Sequence, residues 1–138
     1  MQKIELGELE QLARQRGRLL KVLIVDDEKW VREVFQDFCK LTKVFDVEVA
    51  KSGAEALEKV KVSKYDLITL DIIMPEMSGL EVLTAIKKQS PNVPIMVITG
   101  NATEKLVNEA GVNGACRVMY KPVRLEDFLT EIASTLVH

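Results

Sequence analysis

The chain has 138 residues, 47% of them hydrophobic and 29% charged, which suits one folded domain with a real core and leaves too little for two. Its 21 acidic and 19 basic residues give a formal charge of −2, so neither nucleic acid nor an anionic membrane surface is an expected general partner. No apolar run reaches the length of a membrane span, and Glu5, Glu8 and Glu10 interrupt the place where a secretory signal would be apolar.

Residues 1–19 come first and are expected to form a helical extension or linker on the domain surface. Leu9, Leu12, Ala13 and Arg16 have helical spacing, and the acidic residues fall early while Arg14, Arg16 and Arg18 fall late, which suits a helix dipole. Gly7 and Gly17 weaken that pattern. A dimer or partner helix is the sharper alternative for this segment. The domain proper is expected over residues 20–138.

Leu20–Val25 is the first apolar run, and it reads as a strand covered on both faces because it lacks alternation. Val31, Val34, Phe35 and Phe38 then repeat at three and four, the spacing of one helix face. Phe45–Ala50 gives a second strand. Ser52 and Glu55 form an S-x-x-E capping box opening a helix, with Ala54, Leu57 and Val60 toward the core. Residues 66–70 give a third strand. Ser78 and Glu81 repeat the capping box ahead of Leu80, Leu83 and Ile86. Residues 94–98 give a fourth strand, and a short helix over about 103–110 is expected to end at Gly111. Residues 115–119 give a fifth strand, and Leu125, Phe128, Leu129, Ile132 and Leu136 form the last helix stripe. Strict strand–helix alternation predicts an α/β fold, a doubly wound five-stranded parallel sheet with right-handed crossovers.

In such a sheet the carboxyl ends of the strands share one edge, where the binding crevice forms. Five polar residues fall there: Asp26, Asp27, Asp71, Thr99 and Lys121. Alone, each has an ordinary explanation, as a turn former, a cap or a solvated lysine. Together they are specific. Three crowded carboxylates repel one another and call for a cation. An all-oxygen ligand set favours a hard ion, magnesium best, with manganese as the alternative. One carboxylate can serve as a nucleophile toward a phosphoryl group, with Thr99 donating to a phosphoryl oxygen and Lys121 supplying a point charge. The only histidine is His138, which excludes a catalytic Ser–His pair and a multi-histidine metal site. Cys39 and Cys116 fit neither a disulfide framework nor a CxxC site and read as reduced thiols, consistent with a cytoplasmic protein.

Residues 21–28 (KVLIVDDE), 66–81 (DLITLDIIMPEMSGLE), 95–100 (IMVITG) and 120–122 (YKP) closely resemble response-regulator receiver domains of two-component signalling. The resemblance covers about residues 20–138. It implies a (βα)5 flavodoxin-like fold with strand order 2-1-3-4-5. It also implies that Asp71 is the phospho-acceptor, that Asp27 binds magnesium directly and Asp26 through water, and that the backbone carbonyl of Ile73 adds a ligand. Thr99 becomes the switch hydroxyl, Lys121 the phosphate-contacting lysine, and Lys121–Pro122 a cis peptide. Pro75 and Gly79 shape the loop after Asp71.

Two departures accompany the resemblance. Where the family often carries a switch aromatic, three positions before the lysine, this chain has Val118, and Tyr120 lies next to Lys121 instead. Ile73 and Asn101 occupy the positions that tune how water reaches the acyl phosphate in the family, and bulky Ile73 is expected to slow self-dephosphorylation.

The expected partners are a sensor histidine kinase or histidine phosphotransfer protein and a downstream protein target, with this chain a monomer or weak dimer. With no DNA-binding module after the last helix, direct nucleic-acid binding is not expected. The chain would catalyse only its own phosphorylation and dephosphorylation. Three other readings compete. One is a phosphorylation-independent interaction module on the same fold, against which the complete acidic set argues. A phosphohydrolase on outside substrates would need a separate nucleophile and general acid. In a flavodoxin-like cofactor binder the acidic crevice would repel a flavin phosphate.

Overall fold

The structure, a computed structural model, describes residues 2–75 and 78–137. Eleven elements alternate in chain order: α1 (Gln2–Arg16), β1 (Leu20–Val25), α2 (Lys29–Thr42), β2 (Phe45–Ala50), α3 (Gly53–Val62), β3 (Leu67–Leu70), α4 (Gly79–Gln89), β4 (Ile95–Thr99), α5 (Glu104–Val112), β5 (Arg117–Tyr120) and α6 (Leu125–Leu136). All four strand pairings are parallel and the order is β2-β1-β3-β4-β5. The doubly wound sheet expected from the sequence is the one found. Glu76, Met77 and His138, the first two within the motif after Asp71, lie outside the described residues.

The strands explain the two cores. Successive side chains on a strand point to opposite faces. On β1, Leu20, Val22 and Ile24 face one way and pack with Val31, Phe35 and Cys39 of α2 and Phe128, Leu129 and Ile132 of α6. Leu23 and Val25 face the other way, into a cluster with Ile68 and Leu70 of β3, Ala56 and Val60 of α3, and Val82, Leu83 and Ile86 of α4. Both faces are covered, so continuous apolar strands are what the fold requires. Phe35 stacks on Phe128 with ring centroids 4.9 Å apart, joining α2 to α6.

Local signals behaved unevenly. Ser52 caps α3, its hydroxyl accepting from the Glu55 amide at 3.1 Å. Thr103 caps α5 in the same way through Leu106. Ser78 makes no side-chain cap bond: it enters α4 at φ −57°, whereas Ser52 is extended at φ −154°. The α3 phase is set by Ala56 and Val60, four apart, and Ala54 is exposed rather than core. On α2 the buried stripe is Val31, Phe35, Cys39 and Thr42, and Val34 turns to solvent. Helix α5 runs through Gly111 to Val112, and the reversal comes at Gly114, whose φ of 112° favours glycine. Strands β3 and β4 each begin one residue later than expected, β5 begins two later, and Thr99 is the last residue of β4 rather than the first beyond it.

Helix α1 packs along α6. Leu9 is fully buried with Leu6, Leu12 and Ala13 beside it. Its end is held by Arg16 and Arg18, which both pair with Asp66 at the start of β3. Among the described residues no helix is long and apolar enough to cross a membrane.

Candidate functional site

The strand register carries the chemistry to one edge. Val25 of β1 lies beside Leu70 of β3, and Leu70 beside Val97 of β4. Backbone bonds continue past the strand ends: the Asp26 amide donates to Ala50, the Asp71 amide to Val25 at 3.0 Å, and the Lys121 amide to Thr99 at 2.9 Å. Three residues from distant parts of the sequence are therefore fixed by main chain before any side-chain contact is made.

Their side chains then meet. Lys121 Nζ lies 2.8 Å from Asp26 Oδ2, 2.8 Å from Asp71 Oδ2 and 3.5 Å from Glu28 Oε1. Asp26 and Asp71 are buried, and Asp27 and Glu28 are exposed beside them. One oxygen from each of these four carboxylates falls within 4.8 Å of the others. The Glu28 amide donates to Asp26 Oδ1 at 2.9 Å, and the Ile73 amide donates to Asp71 Oδ1 at 2.8 Å. That second bond folds the chain after Asp71 back toward the carboxylates, with the Ile73 side chain outward and 46% exposed. The fold-back places the Ile72 backbone against Gly79: a Cβ there would stand 2.1 Å from Ile72 Cα, so only glycine fits.

Charge at the site follows from this geometry. Burial pushes the Asp26 carboxyl above the ordinary carboxylate range, against the pull of Lys121 and the Glu28 amide. For Lys121, burial works to lower the pKa, but the bonds to Asp26 and Asp71 prevail and hold the ammonium protonated well above its usual range. One ammonium among four carboxylates leaves negative charge uncompensated, which is the electrostatic condition for a divalent cation. All the donors are oxygens, so a hard ion such as magnesium fits the residues present.

Thr99 is fully buried, and its Oγ1 has no hydrogen-bond partner among the described residues. A buried hydroxyl without a partner is costly, so this group is free to donate to an acceptor brought to the strand ends. Asn101 is exposed in the loop after β4. Lys121–Pro122 is a cis peptide. Val118 is partly buried and packs on the β3–α4 core, whereas Tyr120 points outward from the edge strand and is 55% exposed.

Two residues near the site had no role in the sequence reading. Glu28 joins the carboxylate cluster and accepts from Trp30 Nε1 at 2.9 Å. Its place directly after Asp26 and Asp27 was the available signal. Arg32 donates to the Asp26 main-chain carbonyl at 2.7 Å from one turn into α2. No sequence spacing marks that contact.

A doubly wound sheet whose carboxyl edge gathers acidic residues, a buried threonine and a lysine defines a signalling class in which the site sits at the strand ends. Residues 22–133 match the family model for the response regulator receiver domain, and the chain belongs to that family, the receivers of two-component signalling. It is 34% identical over 111 residues to the chemotaxis protein CheY of Listeria monocytogenes, covering 80% of this chain and 93% of that one. With the CheY of Thermotoga maritima the identity is 37% over 102 residues, covering 74% and 85%. A CheY-like receiver domain from Methanospirillum hungatei superposes with a TM-score of 0.83 at 28% identity, over 86% of this chain and 94% of that one. The CheY in a CheX–CheY–BeF3–Mg complex from Borrelia burgdorferi superposes at 0.80 with 30% identity, covering 86% and 90%.

Proposed function

We propose that Asp71 accepts a phosphoryl group from a phosphohistidine on a partner kinase or phosphotransfer protein, in a magnesium-dependent reaction that switches a protein-binding surface. The observation that carries this reading is the convergence on Asp71: a buried carboxylate with Asp26, Asp27 and Lys121 around it and, on the next strand, a buried Thr99 hydroxyl with no partner among the described residues. The magnesium-bound, beryllofluoride-containing relative from Borrelia supports the choice of ion.

Asp26, Asp27, Asp71 and the Ile73 carbonyl would hold magnesium, which when bound neutralises charge on the incoming phosphoryl group. An Asp71 carboxylate oxygen attacks phosphorus, the P–N bond of the donor breaks, and its electron pair returns to the imidazole. Lys121, donating to Asp71 Oδ2 at 2.8 Å, offsets the negative charge gathered there. Lys121 then turns its ammonium to a phosphoryl oxygen, and Thr99 donates its hydroxyl to another. Moving Thr99 repacks the β4–β5 edge and biases the surface between two states. Val118 offers no large ring to follow Thr99, so the response in this chain is carried by repacking of small side chains around β5. Water ends the signal by attacking phosphorus and releasing Asp71, and exposed Ile73 restricts its approach.

Beryllofluoride with magnesium tests the reading without a donor protein. A spectral change that Asp71→Asn abolishes is the expected result. No change in the native protein would favour a phosphorylation-independent interaction module. Multiple turnover on a phosphomonoester would instead indicate a phosphohydrolase.

A further inference from the structure

Helix α1 lies outside the residues matched to the family, and the reaction proposed above makes no use of it. Its apolar stripe covers α6: Leu9 is fully buried in the cluster that holds Phe128, Ile132 and Ala133, with Leu6 and Leu12 on its flanks. Two features make this contact separable. Glu5 buries Oε2 with no partner among the described residues, while its Oε1 receives the Thr130 hydroxyl at 3.4 Å. A cleft of about 290 Å³ also opens between the later turns of α1 and the end of α6, lined by Glu8, Gln11, Leu12, Gln15, Leu136 and Val137. A buried oxygen with no partner among the described residues and an open cleft leave this contact less than fully packed.

The segment that follows is built to bend. Residues 16–19 are exposed, and Gly17 sits at φ 69° with open space around it. At the other end of the contact, α6 begins at Leu125, four residues after Lys121, with Arg124 as its N-cap residue. In the resting molecule Lys121 ties that junction to both Asp26 and Asp71. A cation and a phosphoryl group would occupy those carboxylate oxygens, and Lys121 would exchange its bonds to Asp26 and Asp71 for one to a phosphoryl oxygen, shifting the junction that leads into α6.

We propose that α1 is a displaceable cover: it occupies the outer face of α6 at rest, and filling the acidic site loosens it, opening that face to a partner helix of α1's own pattern. Such a helix carries leucines three apart on one side and arginines at its C-terminal end, because the face is already shaped to Leu6, Leu9 and Leu12 and Asp66 already receives Arg16 and Arg18. The inference rests on the proposed function, since it requires a site that takes the metal and the phosphoryl group.

Hydrogen exchange on the full chain, with and without magnesium and beryllofluoride, tests it, with Trp30 emission read in the same samples. The expected result is α1 amides exchanging at least about tenfold faster on loading, with β1 and β3 unchanged. A labelled peptide of residues 1–18 should bind the loaded protein and not the resting one. Linkage is reciprocal, so Leu9→Ala should tighten magnesium–beryllofluoride binding. Arg18→Ala, at an exposed position, replaces it if Leu9→Ala loosens the whole fold. A change in Trp30 emission with α1 exchange unchanged or slower would overturn the cover and leave the proposed function standing. No response in Trp30 or in the acidic loops would overturn both.

Discussion

Lys121 Nζ lies 2.8 Å from Asp71 Oδ2, although the two residues are 50 positions apart. The pair exists because β3 and β5 each end on the same sheet edge, and the cation is shared with Asp26. At rest, Lys121 is the counterion that lets a buried acidic site fold.

Removing part of that buried charge should stabilise the fold. Burial raises the Asp26 pKa, so the folded state binds its proton more tightly than the unfolded state does. That contribution is present below the unfolded pKa and is lost as pH rises through the folded one, so at neutral pH the ionised group is a net cost. Asp26→Asn is expected to raise the melting temperature by a few °C, on the order of 1 kcal/mol, and to abolish magnesium binding. A lower melting temperature, measured by calorimetry at pH 7, would contradict this.

Trp30 should report the site. It is the only tryptophan, and its indole donates to Glu28, which also faces Lys121 at 3.5 Å. Magnesium is therefore expected to change its emission in a saturable titration, and Asp27→Asn to remove the effect. Calorimetric binding with silent fluorescence would show that Glu28 stays clear of the ion.

The Asp66 clasp predicts an acid sensitivity. Burial alone would raise the Asp66 pKa, but Arg18, the Lys21 amide and Arg16 bring it below the usual carboxylate value. The resulting stability is present above the unfolded pKa and lost as pH falls through the depressed folded one. Asp66→Asn should lower stability at pH 7 and flatten its dependence below about pH 4. Equal acid profiles for the two proteins, followed by circular dichroism, would rule the clasp out.

Two glycines should respond in opposite directions. Gly79→Ala forces a methyl into the Ile72 backbone and should cost several kcal/mol, at the upper end of about 1–3 for overpacking or beyond it. Gly111→Ala, inside α5 with open space, should stabilise by about 0.5–1 kcal/mol. Denaturant midpoints of the two variants check both signs.

The fold was legible because apolar runs and 3.6-residue stripes report burial directly: Leu23-Ile24-Val25, apolar without alternation, reads as a strand covered on both faces and is one. Asp26, Asp71, Thr99 and Lys121 were legible through topology, since each lies at the carboxyl end of a strand or one residue past it. Ala54, Val34 and Gly111 were misread, because small or flanking residues fit a helix stripe in more than one phase and packing decides among them. Arg32 was invisible: its bond goes to a main-chain carbonyl, which any residue at position 26 would supply. The docking of α1 on α6 depends on tertiary contact that its own weak stripe does not specify.

Dephosphorylation tests the outward-facing Ile73. Ile73→Asn should shorten the aspartyl-phosphate lifetime by several-fold, as seen in the decay of labelled protein, because an exposed apolar side chain gives way to one that can position water. An unchanged or longer lifetime would remove Ile73 from the account.

The most direct test of the central claim is mass spectrometry of the protein after incubation with magnesium and a small phosphodonor. One added phosphoryl group is predicted, located by peptide mapping at Asp71, dependent on magnesium and absent from Asp71→Asn. A native protein that gains no mass, or an Asp71→Asn variant that gains it as readily, would contradict the account.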